Sequence, residues 1–529
     1  MRDLHLPGRS PVYAANGMCA TSHPLAAQAA VACLQAGGNA MDAALVASAV
    51  LCVVEPYNTG VGGDCFALVS PAGGGDVVGL NGSGRTPMGA SKEWYMERGI
   101  SGIGLSDVHS VTIPGAVDAW VRLQEDYATW SLADILAPAI QYAEEGFPVS
   151  PRVSVDWGLL EGHLAHDADA VRTFMPGGRA PRLGQKVRLP ALAHTLRLIG
   201  LKGRAGFYEG EVAQDLVDKL QAKGGLHTLD DFAATACDYV TPIRTNYRGK
   251  DVLEIPPNGQ GITALVMLNI LQEFDLGALD PLGAERFHLE MEAARMAYDM
   301  RDRYVADPAK ADVPVADLLA RRTAQELAGR IDPHKALENV TASRDPLHRD
   351  TVYLSVVDKD RMSVSFINSL YFGFGSGIVG AKSGVALQNR GAGFVVEDGH
   401  PNCIDAGKRP LHTIIPAMML ENDKPVLSFG VMGGAYQAVG HGHVVSNMVD
   451  YGMDIQEALD CPRAFHAGAQ IEVERGLSPQ TLEGLSARGH KVSEAVLPHG
   501  GGQGIVIDEA EGVLMGGSDP RKDGAAIGY

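Results

Sequence analysis

In "PLHRDTVYLSVVDKD", residues 346–360, a threonine stands directly behind an aspartate at the mouth of a strand-like run. As an internal residue, Thr351 is an ordinary β-branched strand former. As a chain terminus it would be something else. If its hydroxyl attacks the carbonyl of Asp350, the peptide becomes an ester and water then releases the upstream fragment. The α-amine so created has a reference pKa of about 7.7–8.0. It can serve as general base for its own hydroxyl, so that one residue supplies both nucleophile and base. Acyl transfer also needs donors for a developing oxyanion. "VLSFGVMGGAYQAVGHGHVV" offers a strand, then Gly433–Gly434, then a helix-like run. Paired N–H groups at a helix start suit an anion; a plain glycine turn is the alternative, and Gly440 and Gly442 argue against the helix.

Other chemistries are poorly represented. G-x-x-x-x-G-K-[ST], H-E-x-x-H and G-x-S-x-G do not occur. "GFGSGIVG" (373–380) has no clear following helix, so a dinucleotide site is not expected there. "HGH" (441–443) has no carboxylate or thiolate at ligand spacing beside it, which favours a core or surface pair over a metal site. No cofactor and no metal are expected.

The elements that must hold Thr351 are readable from pattern. Residues 22–54 predict two Ala-rich helices, the first capped by Ser22 and stopped at Gly37–Gly38, the second starting near Asn39. "GVGGDCFALVS" and "GGDVVGLNGSG" predict two strands, and 132–225 a mostly helical stretch. "DVLEI" (251–255) reads as a strand leading to an amphipathic helix from about Thr263, with another over 284–302. "TVYLSVV" and "MSVSFIN" around "DKDR" predict a hairpin starting at Thr351. Helices are expected again near 435–451 and 478–489, then a hairpin and a tail. Residues 335–350 are the most linker-like stretch.

Composition sets the outer bounds. The chain has 529 residues, 46% hydrophobic and 20% charged, with 64 glycines and a net charge of −19. Such a balance disfavours nucleic acid and anionic membrane as partners. The seven cysteines are scattered, without a C-x-x-C pair, so no disulfide framework is expected. The longest apolar stretch, 43–54, is too short to span a bilayer. The opening "MRDLHLPGRSPVYAANG" lacks a signal-peptide pattern. A cytoplasmic location is expected, or a periplasmic one if the natural chain carries a leader that is removed.

A longer set of motifs now lines up. "HPLAAQAAVACLQAGGNAMDAALVASAVLCVVEP", "VTIPGAVDAW", "APAIQYAEEGFPVSP", "RTNYRGKDVLEIPP", "TVYLSVVDKD", "FGSGIVGAKSG", "GKRPLHTIIPAM", "MGGAYQ", "CPRAFH" and "GGSDPRKDGAAIGY" follow in one order along the chain. In this the sequence resembles the γ-glutamyltransferase (γ-glutamyltranspeptidase) family of N-terminal-nucleophile hydrolases. The resemblance implies an α+β fold, a four-layer αββα sandwich, from a precursor that cleaves between Asp350 and Thr351. Fragments 1–350 and 351–529 would stay intertwined in one structural domain, although length alone allows about three. It also implies that Thr351 is the nucleophile, that Gly433 and Gly434 hold the oxyanion, and that Ser369 supports the nucleophile's amine. Homodimers, or heterotetramers of cleaved fragments, are the assemblies to expect.

The sequence departs from the family where the γ-glutamyl head is recognised. The family's binding arginine falls on Ser83 of "NGSGRTP", with Arg85 two places on. An acidic position becomes Gly393, and Arg390 stands where an amide would be. Paired serines become His412 and Thr413, and an asparagine becomes Tyr371. Without the carboxylate, a buried substrate ammonium would lack a partner, at a cost of several kcal/mol. Arg85 and Arg390, with His412, Thr413 and Tyr371 beside them, suit a substrate with a carboxylate and no amine. The pattern resembles the subgroup containing oxamate amidohydrolase. The expected enzyme is therefore a self-cleaving threonine amidohydrolase acting on a small amide such as oxamate, with water or an amine as acceptor. γ-Glutamyl transfer or glutathione hydrolysis is the alternative, and a non-catalytic scaffold a third.

Overall fold

A computed structural model describes residues 5, 8–338, 351–467 and 470–529. Asp350 and most of the linker-like stretch thus lie outside the described residues.

Two seven-stranded antiparallel sheets carry the architecture, which is mixed α/β. One runs Ala525–Gly528, Met18–Thr21, Val352–Val357, Ser363–Ser369, Asp64–Ser70, Val78–Gly82, Asp238–Val240. The other runs Val12–Ala14, Val513–Ser518, Gly501–Asp508, Lys424–Met432, Ala417–Glu421, Lys250–Glu254, Ile243–Tyr247. Each sheet draws strands from both sides of residue 351.

The predicted hairpin is present. Val352 pairs with Asn368 and Val357 with Ser363, and all residues of both strands are buried. This burial explains the apolar run in Val352–Val357: it is an interior strand with both faces covered. On one face lies helix Ala40–Val54, buried along its whole length. On the other lies the second sheet, where Phe66, Leu253, Ile255, Tyr353, Ile367, Ile414 and Met418 form a shared apolar layer. The sheets meet closely because Gly430 faces Tyr353; a Cβ there would sit 2.4 Å from the tyrosine ring.

Several local expectations are revised. The first helix, Pro24–Gln35, is capped by the His23 imidazole rather than by Ser22. The helix expected to be amphipathic, Gly261–Leu271, is buried on nearly all sides, packed among Ala284–Tyr304, Arg321–Ala328 and Gln437–Val449. The expected tail ends in a strand, Ala525–Gly528, paired with Met18–Thr21. Helix Gln437–Val449 contains Gly440 and Gly442, whose helix penalty was overstated by reading propensity alone. A side chain at Gly440 would meet Val431 at 2.8 Å, and one at Gly442 would meet Met267 at 3.0 Å, so the glycines permit tight packing.

Candidate active site

Thr351 sits immediately before its strand and is fully buried. Its hydroxyl lies 3.2 Å from that of Ser369, at the far end of the paired strand. Its backbone N–H donates to Asn58 Oδ1 at 3.3 Å. The turn "EPYNTG" is tied to the hairpin by Leu370 N–H to the Asn58 carbonyl and by Asn368 Nδ2 to Thr59 Oγ1. The residues around Thr351 are therefore set by the sheet and by the end of helix Ala40–Val54.

Arg390 is the nearby cation in this network. It is fully buried, donates to Thr413 Oγ1 at 2.6 Å and reaches Ser369 Oγ at 3.5 Å. Its guanidinium lies 4.2 Å above the ring of Tyr371. Tyr371 has φ of +82°, a conformation uncommon for a side-chain-bearing residue, and its N–H donates to Ser369 Oγ. Asn389 fixes the approach: its N–H meets the Leu370 carbonyl and its Oδ1 accepts from Phe372.

Gly433 and Gly434 follow the end of strand Lys424–Met432 with φ of +119° and +56°. Any side chain would be strained there, and at Gly433 it would meet Gly500 at 2.8 Å. Gln260 connects this turn to the Arg390 side. Its Nε2 donates to the carbonyls of Thr413 and Gly434, and Arg301 holds its Oε1 at 2.9 Å. Side chains and short backbone steps thus run from Thr351 through Ser369, Arg390, Thr413 and Gln260 to Gly434.

His412 has both ring nitrogens engaged. Ile414 N–H donates to Nδ1, which leaves the proton on Nε2, and that proton faces Asp64 Oδ2 at 3.0 Å. Burial first, and the Arg390 charge second, push its pKa down to about 3. A neutral imidazole in this arrangement cannot collect a proton at neutral pH. Asp64 also accepts from Gly84 N–H, Gly115 N–H and Gln388 Nε2. Its oxygens are thereby committed to four internal donors.

Arg85 lies apart from this network. It is half-buried, 3.4 Å from Asp238 and 3.6 Å from Asp307. Ser83 is instead reached by Arg409, whose Nε donates to its carbonyl. Sequence reasoning missed Asn58, Asp64, Gln260, Arg301 and Arg409. The first three carry one signal, a polar side chain in or at the edge of a glycine-rich turn next to a buried element, as in "EPYNTGVGGD" and "PPNGQG".

The remaining motifs find structural partners. His441 pairs with Glu254 and His443 with Glu290, carboxylates supplied from more than a hundred positions away. Gly375, Gly377 and Gly380 do carry G-x-G-x-x-G spacing, but they lie in a loop whose next element is the single turn Arg390–Gly393. Among the described residues His288, Glu292 and His490 converge closely enough to hold a metal ion. The two imidazoles bond one another, and Glu292 accepts from Arg295 and Leu337 N–H, so these groups already satisfy each other.

A family model described as Gamma-glutamyltranspeptidase matches residues 26–529. The chain belongs to the γ-glutamyltranspeptidase family. A "Glutathione hydrolase-like YwrD proenzyme" of Bacillus subtilis is 39% identical, over 97% of this chain and 98% of the relative. An "Oxamate amidohydrolase proenzyme" of Klebsiella pneumoniae is 34% identical, over 97% and 98%. The crystal structure of a cephalosporin acylase from Bacillus halodurans is similar at a TM-score of 0.93 and 40% identity, covering 100% of this chain and 98% of that one. Members of the γ-glutamyltranspeptidase family with these names are hydrolases and acylases, and the protein is an enzyme of this family. No helix among its described residues is long and apolar enough to cross a membrane.

Proposed function

We propose that the protein is a self-cleaving threonine amidohydrolase that acts, through an acyl-enzyme, on a small carboxylate-bearing amide such as oxamate. The observation that carries this reading is the pairing of Thr351 Oγ1 with Ser369 Oγ, with the Arg390 guanidinium reaching the same serine. A nucleophile beside a buried, permanently charged fork suits an acyl group bearing its own carboxylate. With Asp64 committed to four donors, it is a poor partner for a substrate ammonium.

Cleavage between Asp350 and Thr351 yields fragments 1–350 and 351–529. Strands from both fragments in both sheets support their staying intertwined, in the αββα layering of N-terminal-nucleophile hydrolases. The new amine accepts the Thr351 hydroxyl proton as Oγ1 bonds to the substrate carbonyl carbon. The N–H groups of Gly433 and Gly434 steady the oxyanion, and Ser369 supports the amine. The amine then returns its proton to the leaving nitrogen as the C–N bond breaks. Water or an amine resolves the ester and regenerates the hydroxyl. The neutral, doubly engaged His412 supports assigning the base to the amine. Tyr371, Thr413 and His412 shape the pocket around Arg390, while Arg85, expected from its type to serve there too, stands with Asp238 and Asp307.

γ-Glutamyl transfer or glutathione hydrolysis is the second reading, favoured by the name of the Bacillus subtilis relative. Steady-state assays on oxamate and on a γ-glutamyl anilide separate the two. Turnover of oxamate with little on the anilide is expected; the reverse would defeat the pocket argument. Intact mass should show two fragments meeting at residue 351.

A further inference from the structure

The turn that holds the Thr351 nitrogen also holds a buried acid. We propose that Asn58 and Glu55 are positioning residues for the α-amine of Thr351: Asn58 aims it, and Glu55, acting through Asn58, strengthens its hold on a proton. The inference rests on the reading that Thr351 becomes a chain terminus.

The geometry is a two-step line. Thr351 N–H donates to Asn58 Oδ1 at 3.3 Å, and Asn58 Nδ2 donates to Glu55 Oε2 at 2.6 Å. Both side chains are buried, and the turn between them is closed by Asn58 N–H on the Glu55 carbonyl. The carboxylate requires a donor, so it fixes which end of the Asn58 amide faces Thr351. With the oxygen toward the amine, one amine hydrogen is tethered there and the nitrogen lone pair is left for the Thr351 hydroxyl side, where Ser369 stands. An amide polarised by a carboxylate behind it is a stronger acceptor, which favours the ammonium form.

Burial lifts the Glu55 carboxyl to about 7, opposed by the Asn58 hydrogen bond and by Lys522, with Asp523 adding to the rise. That value lies close to the reference of about 7.7–8.0 for a free α-amine, so protons on the acid and on an amine two hydrogen bonds away are coupled. Other charged or titratable groups are near. Lys522 is buried beside Asp156, Asp523 accepts from Ser150 and Arg152 N–H, and the His23 imidazole reaches the same Ser150. On the amine side stand the Ser369 hydroxyl and, behind it, Arg390.

The test is the acidic limb of kcat/KM against pH in the mature enzyme, which reports the proton affinity of the free enzyme's base. Glu55→Gln keeps an oxygen for Asn58 Nδ2 and removes the charge. Its expected effect is complete cleavage and a limb moved about one pH unit downward. Asn58→Asp puts a carboxylate directly on the amine and should move the limb upward. Opposite shifts support the proposal. Unmoved limbs, shifts in one direction, or an uncut Glu55→Gln chain overturn it. Should Asn58→Asp not fold, Glu55→Gln decides alone. If the parent enzyme itself lacks a Thr351 terminus by N-terminal sequencing, it is the cleavage reading that falls, a distinct result.

Discussion

Two buried histidine–carboxylate pairs resolve their protons in opposite directions. His412 meets Asp64 at 3.0 Å near the nucleophile, and His443 meets Glu290 at 2.8 Å beneath helix Ala284–Tyr304. Both are buried, yet burial with the Arg390 charge drives the His412 pKa down to about 3. At His443 burial is again the largest influence and opposes the proton, as does Arg286, but Glu290 and Cys461 together outweigh them and the pKa rises. The surroundings differ: Arg390 and Arg409 oppose a proton on His412, whereas Cys461 joins Glu290 in favouring one on His443. Asp64 divides its charge among two backbone amides and Gln388, while Glu290 pairs with His443 and Arg286. A histidine–aspartate pair is thus not by itself an acid–base device; near Thr351 it is a neutral brace.

The strongest way to break this comparison is to remove the hydroxyl whose attack would both open the chain and make the acyl-enzyme, and so the amine proposed as base beside the neutral His412. Thr351→Ala is expected to leave one uncut chain on a denaturing gel and to lower turnover by about 1000-fold or more, while Thr351→Ser still cuts, more slowly. Appreciable turnover in the alanine variant would show that the Thr351 hydroxyl is not the nucleophile. Next, Arg390→Leu should reduce kcat/KM on a carboxylate-bearing amide by about 100-fold, a loss consistent with one charge-assisted contact. The same variant should raise the His412 pKa, read from its imidazole NMR signals.

Glu290→Gln sharpens the contrast from the other side. It leaves Arg286 and His443 without their anion and should cost about 3–5 kcal/mol in urea unfolding. The last effect is on pH and is spread over many groups. His412 is held near 3 against an unfolded value of about 6.5, so the unfolded chain binds the proton first as pH falls. Its stabilisation is complete above about 6.5 and is lost down toward 3. His23, His227, His466 and His490 are lowered as well and act with it. His443 has the opposite sign: its contribution is present below about 6.5 and fades as pH rises through its raised value. The urea midpoint should therefore be lower at pH 4.5 than at pH 7; an unchanged midpoint would contradict these assignments.

The hairpin at 351–369 was legible because alternating β-branched residues flank a charged turn, a purely local signal. The pair Gly433–Gly434 was legible because glycine is what a left-handed turn requires. Helix Gly261–Leu271 differs from the amphipathic reading: only Thr263 and Asn269 are polar in it, and elements far away in sequence cover it on nearly all sides. The polar residues of the network around Thr351 were harder still. Asn58, Gln260 and Asp64 act through hydrogen bonds to residues 293, 153 and 348 positions distant, and no periodicity records such contacts. Arg85 likewise has partners that its local sequence does not reveal, since Asp238 and Asp307 lie within ion-pair distance of it.

The strand Val352–Val357 has a neighbour on each side, Met18–Thr21 and Ser363–Ser369, and Thr21 Oγ1 also donates to the Tyr353 carbonyl. Most chain ends wander, because nothing beyond the last residue restrains them. A chain end opened at Thr351 would inherit the stiffness of a sheet interior, and its reach would be set by neighbours that were never cut.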